Sequence, residues 1–119
     1  LPMPWIVLEH PAFSAERGAM PPSVTAKLTE VVLALEIVGP HLGRPLVDTL
    51  KGSRHANMKE LRIGASGAWR VVFAFDLERN AILLVGGNKQ GANQTKFYKD
   101  LIRTADARFD QWLGAEGHQ

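Results

Sequence analysis

The sequence predicts an α+β domain in which an N-terminal strand and helices pack on an antiparallel sheet meander with a C-terminal helix. Two periodicities predict this class: apolar residues recur at helical spacing over Val24–Val38 and Tyr98–Trp112, whereas Met58–Phe75 alternates with the period of strands. The chain has 119 residues, of which 45% are hydrophobic, so one core can be built. We therefore expect a single domain over residues 1–119.

The first part of the chain is predicted to contain a strand and then helices. Trp5–Glu9 is rich in β-forming residues, and His10–Gly18 is ambiguous but is compatible with a short helix. Ser23 is expected to cap a longer helix, whose apolar residues recur at steps of three and four as far as Val38. Gly39–Pro40 predicts its end, because glycine tolerates a left-handed cap and proline cannot continue a helix.

The second part is predicted to contain three strands in sequence. Gly43–Asn57 is polar and rich in turn residues, and the alternating strand Met58–Ile63 follows it. Gly64–Gly67 provides a hairpin connection to the next strand, Trp69–Phe75. Ala81–Val85 is a continuous apolar run, which is typical of a central strand.

Gly86–Gly91 is predicted to be a loop that leads to the final helix. The loop lacks the Gly-Lys-Ser/Thr ending of a phosphate-binding P-loop, so we exclude that motif. The helix has an apolar stripe that includes Tyr98 and Trp112, and it is expected to end near Gly114. Its opposite face is basic.

Positive charge is concentrated in the middle of the chain. Residues 44–103 contain eleven basic and five acidic residues, whereas residues 1–43 and 104–119 each carry a net charge of −2. A basic block in an otherwise acidic chain favours a surface that meets phosphate, although ordinary scatter of surface charge is the alternative. The residues expected to form this RNA-binding surface are Arg44, Lys51, Arg54, His55, Lys59, Lys96, Lys99 and Arg103.

The composition excludes several other classes of protein and site. The chain has no Cys, so disulfides, thiolate metal sites and a cysteine nucleophile are excluded. The four histidines are scattered, and we expect no metal and no cofactor. No apolar stretch is long enough to span a membrane, and no signal peptide is recognised, so a cytoplasmic location is expected. Residues 1–4 are expected to be disordered or foreign to the domain.

Strand alternation predicts a charged cluster on one face of the sheet. Glu60 and Arg62 alternate with the apolar residues of their strand, and Arg70 lies opposite the aromatic face of the next strand. If these strands pair, one carboxylate and two guanidiniums share a surface, beside a concavity left by small residues of the second strand. Lys89 and Tyr98 are expected at the rim of this concavity.

Such a cluster has the groups needed to cleave RNA without a metal. The ribose 2′-hydroxyl must lose a proton, for which Glu60 or His55 is the candidate base. The two arginines and Lys89 would stabilise the negative phosphorane, and Tyr98 or a lysine would protonate the leaving oxygen. The mechanism would be specific for RNA, because DNA lacks the 2′-hydroxyl. A merely structural cross-strand ion pair is the alternative.

The order of these motifs resembles the RelE/HigB/ParE superfamily of bacterial toxins, and above all its phage-derived, HigB-like branch. The likeness covers roughly residues 5–113. The segments that carry it are Leu50–Gly52, Met58–Arg62, Trp69–Phe75 and Ile82–Lys89, followed by a helix with Tyr98, Ile102 and Ala105–Asp106.

The resemblance implies roles for the cluster. Arg70 matches the strand arginine that contacts the scissile phosphate, and Arg62 and Lys89 match basic positions on either side. Glu60 matches a position that is a carboxylate or a lysine, and Tyr98 an aromatic residue near the end of the chain. A histidine of some branches is replaced here by the Val-Gly-Gly run that precedes Asn88, which shifts the general acid to Tyr98 or Lys89.

The resemblance also implies a RelE-like fold and a toxin that cleaves mRNA, usually in the ribosome. A cognate antitoxin, often a small helix-turn-helix protein, would neutralise it, and operator DNA would be contacted only through the antitoxin. Some branches poison DNA gyrase without cleaving anything. A non-enzymatic toxin that binds gyrase is therefore the alternative function.

Overall fold

The computed structural model describes residues 3–115, which fold into three α-helices and one five-stranded sheet. The strands are β1 (Ile6–Glu9), β2 (Val47–Thr49), β3 (Met58–Ile63), β4 (Trp69–Phe75) and β5 (Asn80–Asn88). The helices are α1 (Pro11–Arg17), α2 (Pro22–Val38) and α3 (Gln94–Ala115). The α+β class is confirmed. Some of the expectations above concern Leu1, Pro2 and His118, which lie outside the described residues.

The strands lie in the order β1-β5-β4-β3-β2. The predicted antiparallel meander is confirmed as β3-β4-β5, whereas β1 pairs with β5 in parallel, so the sheet is mixed. β5 lies between β1 and β4, and this central position explains its continuous apolar run. β2 was not predicted, because its three residues are too few to show an alternating pattern.

Helices cover both faces of the sheet. α1 and α2 pack on one face, where the core includes Phe13, Leu28, Leu61 and Phe73. α3 packs on the other face through Leu101, Ala105 and Phe109. The expected concavity beside Val72 and Ala74 is wrong, since the α3 layer covers both residues and leaves them fully buried.

A β-bulge interrupts the pairing of β4 and β5. The register shifts between Val72 and Phe73, and Leu84 is the extra residue on β5. Its carbonyl oxygen accepts a hydrogen bond of 2.8 Å from Arg108 of α3, which supplies the partner that the sheet does not. The bulge reverses the alternation of side chains along the rest of β5.

The glycines after the bulge belong to β5 and are not a loop, which corrects the predicted loop Gly86–Gly91. Gly86 faces the side of the sheet covered by α1, where the side chain of Met20, just after that helix, occupies the space of a Cβ atom. Gly87 faces α3, and a Cβ there would lie 3.0 Å from the ring of Phe97. The strand continues to Asn88 because both helical layers pack directly on its glycine backbone.

The helix ends differ partly from expectation. α2 begins at Pro22, so Ser23 is not its N-cap and its hydroxyl instead contacts that of Ser66 in the β3–β4 hairpin. Proline suits the first position of a helix, where its missing N–H is not needed. The predicted end of α2 at Gly39 is confirmed, with a φ of 63° beneath the Trp5 indole. α3 continues through Gly114 to Ala115.

Candidate active site

Glu60, Arg62 and Arg70 lie together on the α3 face of β3 and β4, as the alternation predicted. Arg62 is the register partner of Arg70, so two cations face each other across the strands. The Glu60 carboxylate lies between them, with Oε2 3.4 Å from Nε of Arg62 and Oε1 3.6 Å from Nε of Arg70. Like charges directly opposite each other destabilise a sheet, so Glu60 holds the two guanidiniums in place.

Tyr98 completes the cluster from α3. Its hydroxyl donates a hydrogen bond of 2.8 Å to Oε1 of Glu60. The contacts at the start of α3 fix the position of Tyr98. The Asn93 side chain accepts a hydrogen bond from the backbone N–H of Lys96, and Phe97 packs on the glycine backbone of β5. Burial and the hydrogen bond to Glu60 raise the pKa of Tyr98, so its hydroxyl is protonated at neutral pH.

Lys89 follows the last residue of β5 and lies beside Tyr98. Its Nζ is 5.7 Å from the centre of the Tyr98 ring, a cation–π distance. The backbone N–H of Lys89 donates to the carbonyl of Ala68, and Oδ1 of Asn88 accepts from the N–H groups of Ala68 and Gln90. The end of β5 and the β3–β4 hairpin are therefore joined, and Lys89 has a fixed backbone.

Asp48 belongs to the same group, although the sequence did not point to it. It is the register partner of Glu60 on β2, and an oxygen of its carboxylate is 3.7 Å from Arg62 and 2.9 Å from Arg44. The hydrogen bond from Arg44 lowers the pKa of Asp48. Arg62 therefore lies between the carboxylates of Glu60 and Asp48. The sequence would have placed Asp48 here only if β2 had been recognisable as a strand.

A cleft of about 620 Å³ opens beside the cluster, between the segment 51–54 and α3. Tyr98 lines it, so the hydroxyl that contacts Glu60 belongs to a residue on the cleft wall. Four of the predicted RNA-binding side chains also line it, namely Lys51, Arg54, Lys99 and Arg103. The cleft is thus a basic groove with Tyr98 on its wall, and the Tyr98 hydroxyl contacts the carboxylate that lies between the two arginines.

Two aspartates of α3 hold the opposite wall of the cleft. Asp106 accepts hydrogen bonds from the hydroxyl of Ser53 and the backbone N–H of Arg54. Asp110 pairs with the Arg54 guanidinium and, at 2.8 Å, with Nε2 of His55. The His55 ring also packs edge-on against Phe109 at 4.8 Å. These contacts hold His55 against α3, and it does not line the cleft.

The other predicted basic residues do not line this cleft. Arg44 is paired with Asp48, and Lys96 is paired with Asp100 at 2.6 Å on the outer side of α3. Lys59 alternates with Glu60 along β3, so it belongs to the opposite face of the sheet.

The arrangement is suited to binding and polarising a phosphate. Glu60 is only 3% exposed, so any influence of its carboxylate on a bound molecule passes through the groups that cover it. Nε of Arg70 is buried, has no hydrogen-bond partner among the described residues, and lies 3.6 Å from the Glu60 carboxylate. Residues 3–115 contain no group of three or more histidines, aspartates or glutamates that would hold a metal ion. No helix in that range is long and apolar enough to cross a bilayer.

Sequence comparison relates the chain to a phage protein family and to two mycobacterial proteins. Residues 16–110 match the family described as phage derived protein Gp49-like. HigB3 of Mycobacterium tuberculosis (strain ATCC 25618 / H37Rv), named as a toxin, is 45% identical over 104 residues, which are 87% of this chain and 85% of HigB3. HigB2 of the same strain, also named as a toxin, is 53% identical over 81 residues, but these are 66% of this chain and only 40% of HigB2.

Solved structures share the fold at low sequence identity. The free E. coli toxin RelE, as an arginine double mutant, has a TM-score of 0.66 at 13% identity over 89% of this chain and 98% of its own. A chain of the archaeal RelE–RelB complex of Pyrococcus horikoshii OT3 has a TM-score of 0.60 at 18% identity, over 76% of this chain and 100% of its own. The toxin–antitoxin complex RelBE2 of M. tuberculosis has a TM-score of 0.53 at 17% identity, over 72% and 92%.

Proposed function

Because the chain belongs to the phage-derived Gp49-like family and is a RelE/HigB-type toxin of a toxin–antitoxin pair, we propose that it is an endoribonuclease that cleaves mRNA on the ribosome. Its place of action would be the cytoplasm, and its inhibitor a cognate antitoxin. The cluster of Arg62, Arg70 and Tyr98 around the buried Glu60 is the observation that carries the proposal. Desolvated charges are costly, so a toxin that only binds has little reason to keep them.

The cleft supplies the substrate site. Lys51, Arg54, Lys99 and Arg103 neutralise the phosphates on one side of the cleavage position, in the way that basic grooves bind single-stranded nucleic acid. The scissile phosphate lies against Arg70. Charge develops on its oxygens in the phosphorane, and donors fixed in advance stabilise that charge most strongly.

Proton transfer passes through Tyr98. The ribose 2′-hydroxyl gives its proton to the Tyr98 oxygen while Tyr98 gives its own proton to Oε1 of Glu60, and the 2′-oxygen attacks phosphorus. Lys89 protonates the 5′-oxygen as its bond to phosphorus breaks, which leaves a 2′,3′-cyclic phosphate and a 5′-hydroxyl. This relay explains how a carboxylate that is 3% exposed acts as the base, since the tyrosine bridges it to the cleft.

The first test is induction of the chain in cells that lack the antitoxin, with mapping of new mRNA 5′ ends. We expect cuts within translated messages, in phase with codons, before growth stops. Growth arrest with DNA damage signalling and no cuts would contradict the proposal and would favour a toxin that binds gyrase.

Tyr98→Phe is expected to lower the rate of cleavage by about 100-fold, because the relay loses its hydroxyl. The ring and its packing remain, so the cost in stability is about 1 kcal/mol for the lost hydrogen bond. Single-turnover cleavage of ribosome-bound mRNA measures the rate, and binding to the ribosome should be unchanged. A phenylalanine variant as fast as the wild type would exclude the relay.

His55→Ala is expected to change the rate of cleavage by less than about threefold, because the side chain is bound to Asp110 and Phe109 outside the cleft. Its effect should appear instead as a loss of about 1 kcal/mol in the free energy of unfolding. Urea denaturation and the same cleavage assay separate the two. A loss of cleavage as large as that of Tyr98→Phe would identify His55 as the base.

A further inference from the structure

The two arginines of the cluster are held in different ways. The Arg70 side chain is 12% exposed, and its guanidinium donates a hydrogen bond of 3.0 Å to the carbonyl of Trp69. The Arg62 side chain is 33% exposed, and its guanidinium contacts the carboxylates of Glu60 and Asp48. Ordering a long and partly exposed side chain costs conformational entropy, so the orientation of Arg62 depends on those two contacts.

The contact between Arg62 and Glu60 is weak. Oε2 of Glu60 is 3.4 Å from Nε of Arg62, whereas a usual hydrogen bond of this kind is about 2.9 Å long. The other oxygen of Glu60 accepts the hydrogen bond from Tyr98 and lies 3.6 Å from Arg70, so the carboxylate is shared among three side chains. Glu60 alone therefore restrains Arg62 poorly.

Asp48 supplies the second contact, on a different nitrogen of Arg62. Oδ2 of Asp48 is 3.7 Å from Nη2 of Arg62, whereas Glu60 lies against Nε. Contacts on two nitrogens of a planar guanidinium restrain the direction of its plane as well as its position. At 3.7 Å the contact with Asp48 is an ion pair and not a hydrogen bond, so it depends on the charge of the carboxylate.

Asp48 is itself held by several hydrogen bonds. Its Oδ2 accepts two from Arg44, of 3.2 and 2.9 Å, and its Oδ1 accepts one of 3.0 Å from the backbone N–H of Thr49. The backbone N–H of Val47 donates to the carbonyl of Gly43, and this turn brings Arg44 back towards Asp48. The hydrogen bonding by Arg44 lowers the pKa of Asp48, so the carboxylate is charged at neutral pH.

The place of Asp48 in the sheet constrains Arg62 further. Asp48 is the register partner of Glu60, so two carboxylates face each other across β2 and β3. Like charges directly opposite each other destabilise a sheet, and a neutral residue at position 48 would avoid that cost. Arg62 offsets the repulsion when it lies between the two carboxylates, as it does here. The pairing of β2 with β3 therefore favours one position of the Arg62 side chain.

We propose that Asp48 is a positioning residue that orients the Arg62 guanidinium for the scissile phosphate. The inference rests on the proposed nuclease function, in which the arginines of the cluster stabilise the phosphorane. Asp48 does not touch the RNA and acts through Arg62. A guanidinium that is oriented before the reaction stabilises developing charge without reorganisation. Loss of the Asp48 charge should therefore slow the chemical step and leave the affinity for ribosomes unchanged.

The test is a double-mutant cycle of Asp48→Asn with Arg62→Ala, measured as the maximal single-turnover rate of cleavage of ribosome-bound mRNA. Asp48→Asn keeps the shape of the side chain and removes its charge. We expect it to lower the rate by about 10-fold and Arg62→Ala to lower it by about 100-fold. The double variant should be no slower than Arg62→Ala. The ribosome concentration that gives half of the maximal rate should stay the same in Asp48→Asn.

Two control variants accompany the cycle. Asp48→Glu retains the charge and should cleave faster than Asp48→Asn. Glu30→Gln removes a carboxylate that pairs with Lys27 on α2, and it should cleave like the wild type. If the losses from Asp48→Asn and Arg62→Ala multiply in the double variant, Asp48 does not act through Arg62 and the proposal is overturned. An Asp48→Asn variant that circular dichroism shows to be unfolded would assign Asp48 to the fold and would also overturn it.

A second measurement needs no RNA. Arginine Nε–Hε groups give their own NMR signals, and nitrogen relaxation reports their motion on the picosecond to nanosecond timescale. In the wild type the Arg62 signal, assigned by its absence from Arg62→Ala, should be as rigid as that of Arg70. In Asp48→Asn it should become as mobile as that of the exposed Arg103, while Arg70 stays rigid. An Arg62 that stays rigid in this variant would overturn the proposal. The expected loss of rigidity without any mRNA cleavage would refute only the nuclease.

Discussion

Arg70→Ala is expected to lower the rate of mRNA cleavage by about 1,000-fold, the largest effect of any single substitution on activity that the structure indicates. The Arg70 side chain is 12% exposed and lies against the Glu60 carboxylate, beside which we place the scissile phosphate. A donor that is already desolvated stabilises developing charge without reorganisation, so its removal is felt mainly in the transition state. Cells that express the variant should grow, and codon-phased cuts should be absent.

Two further variants keep this prediction falsifiable. Arg70→Lys retains the positive charge that neutralises Glu60, so it should fold, but it loses the planar fork and should still cleave poorly. Lys27→Ala removes an exposed positive charge on α2 and should cleave like the wild type. If Arg70→Ala does not fold, the cleavage rate of Arg70→Lys tests the prediction instead. A folded lysine or alanine variant with full cleavage would remove Arg70 from the mechanism.

Phe73→Ala is expected to lower the free energy of unfolding by about 3 to 5 kcal/mol. The side chain is fully buried between the sheet and the helices α1 and α2, and its ring contacts that of Phe75 at 5.4 Å. Truncation leaves a cavity that the surrounding layers cannot fill. Urea denaturation measures the loss, and Leu77→Ala, at a position that is 95% exposed, should change stability by less than about 0.5 kcal/mol. Equal midpoints for the two variants would contradict this view of the core.

The composition of the cluster was predictable because a strand has a period of two. Once β3 and β4 are recognised, alternation fixes the face of Glu60, Arg62 and Arg70, and a tight hairpin brings that face together. The presence of Tyr98 on the apolar face of α3 was predictable from the helical spacing of the apolar residues. Local pattern therefore predicted which side chains meet, while the geometry that makes Glu60 inaccessible depends on the covering by α3.

Features that depend on contacts between distant parts of the chain were not predictable. The cleft exists because Asp106 and Asp110 bind a segment about fifty residues earlier in the chain, and neither spacing nor charge reveals that pairing. The bulge at Leu84 depends on a single register shift that leaves no mark in the sequence of β5. Asp48 was missed for the simpler reason that its strand has three residues.

Under the proposed mechanism, α3 also determines when a newly synthesised chain becomes active in the cell that makes it. Translation adds about 5 to 20 residues per second, and the segments of a domain leave the ribosome in order. A nascent chain that has released β3 and β4 already has Arg62 and Arg70, but Tyr98 reaches Glu60 only after α3 has emerged and packed. Under the proposed mechanism, the polypeptide under synthesis is therefore inactive until α3 has docked on the sheet.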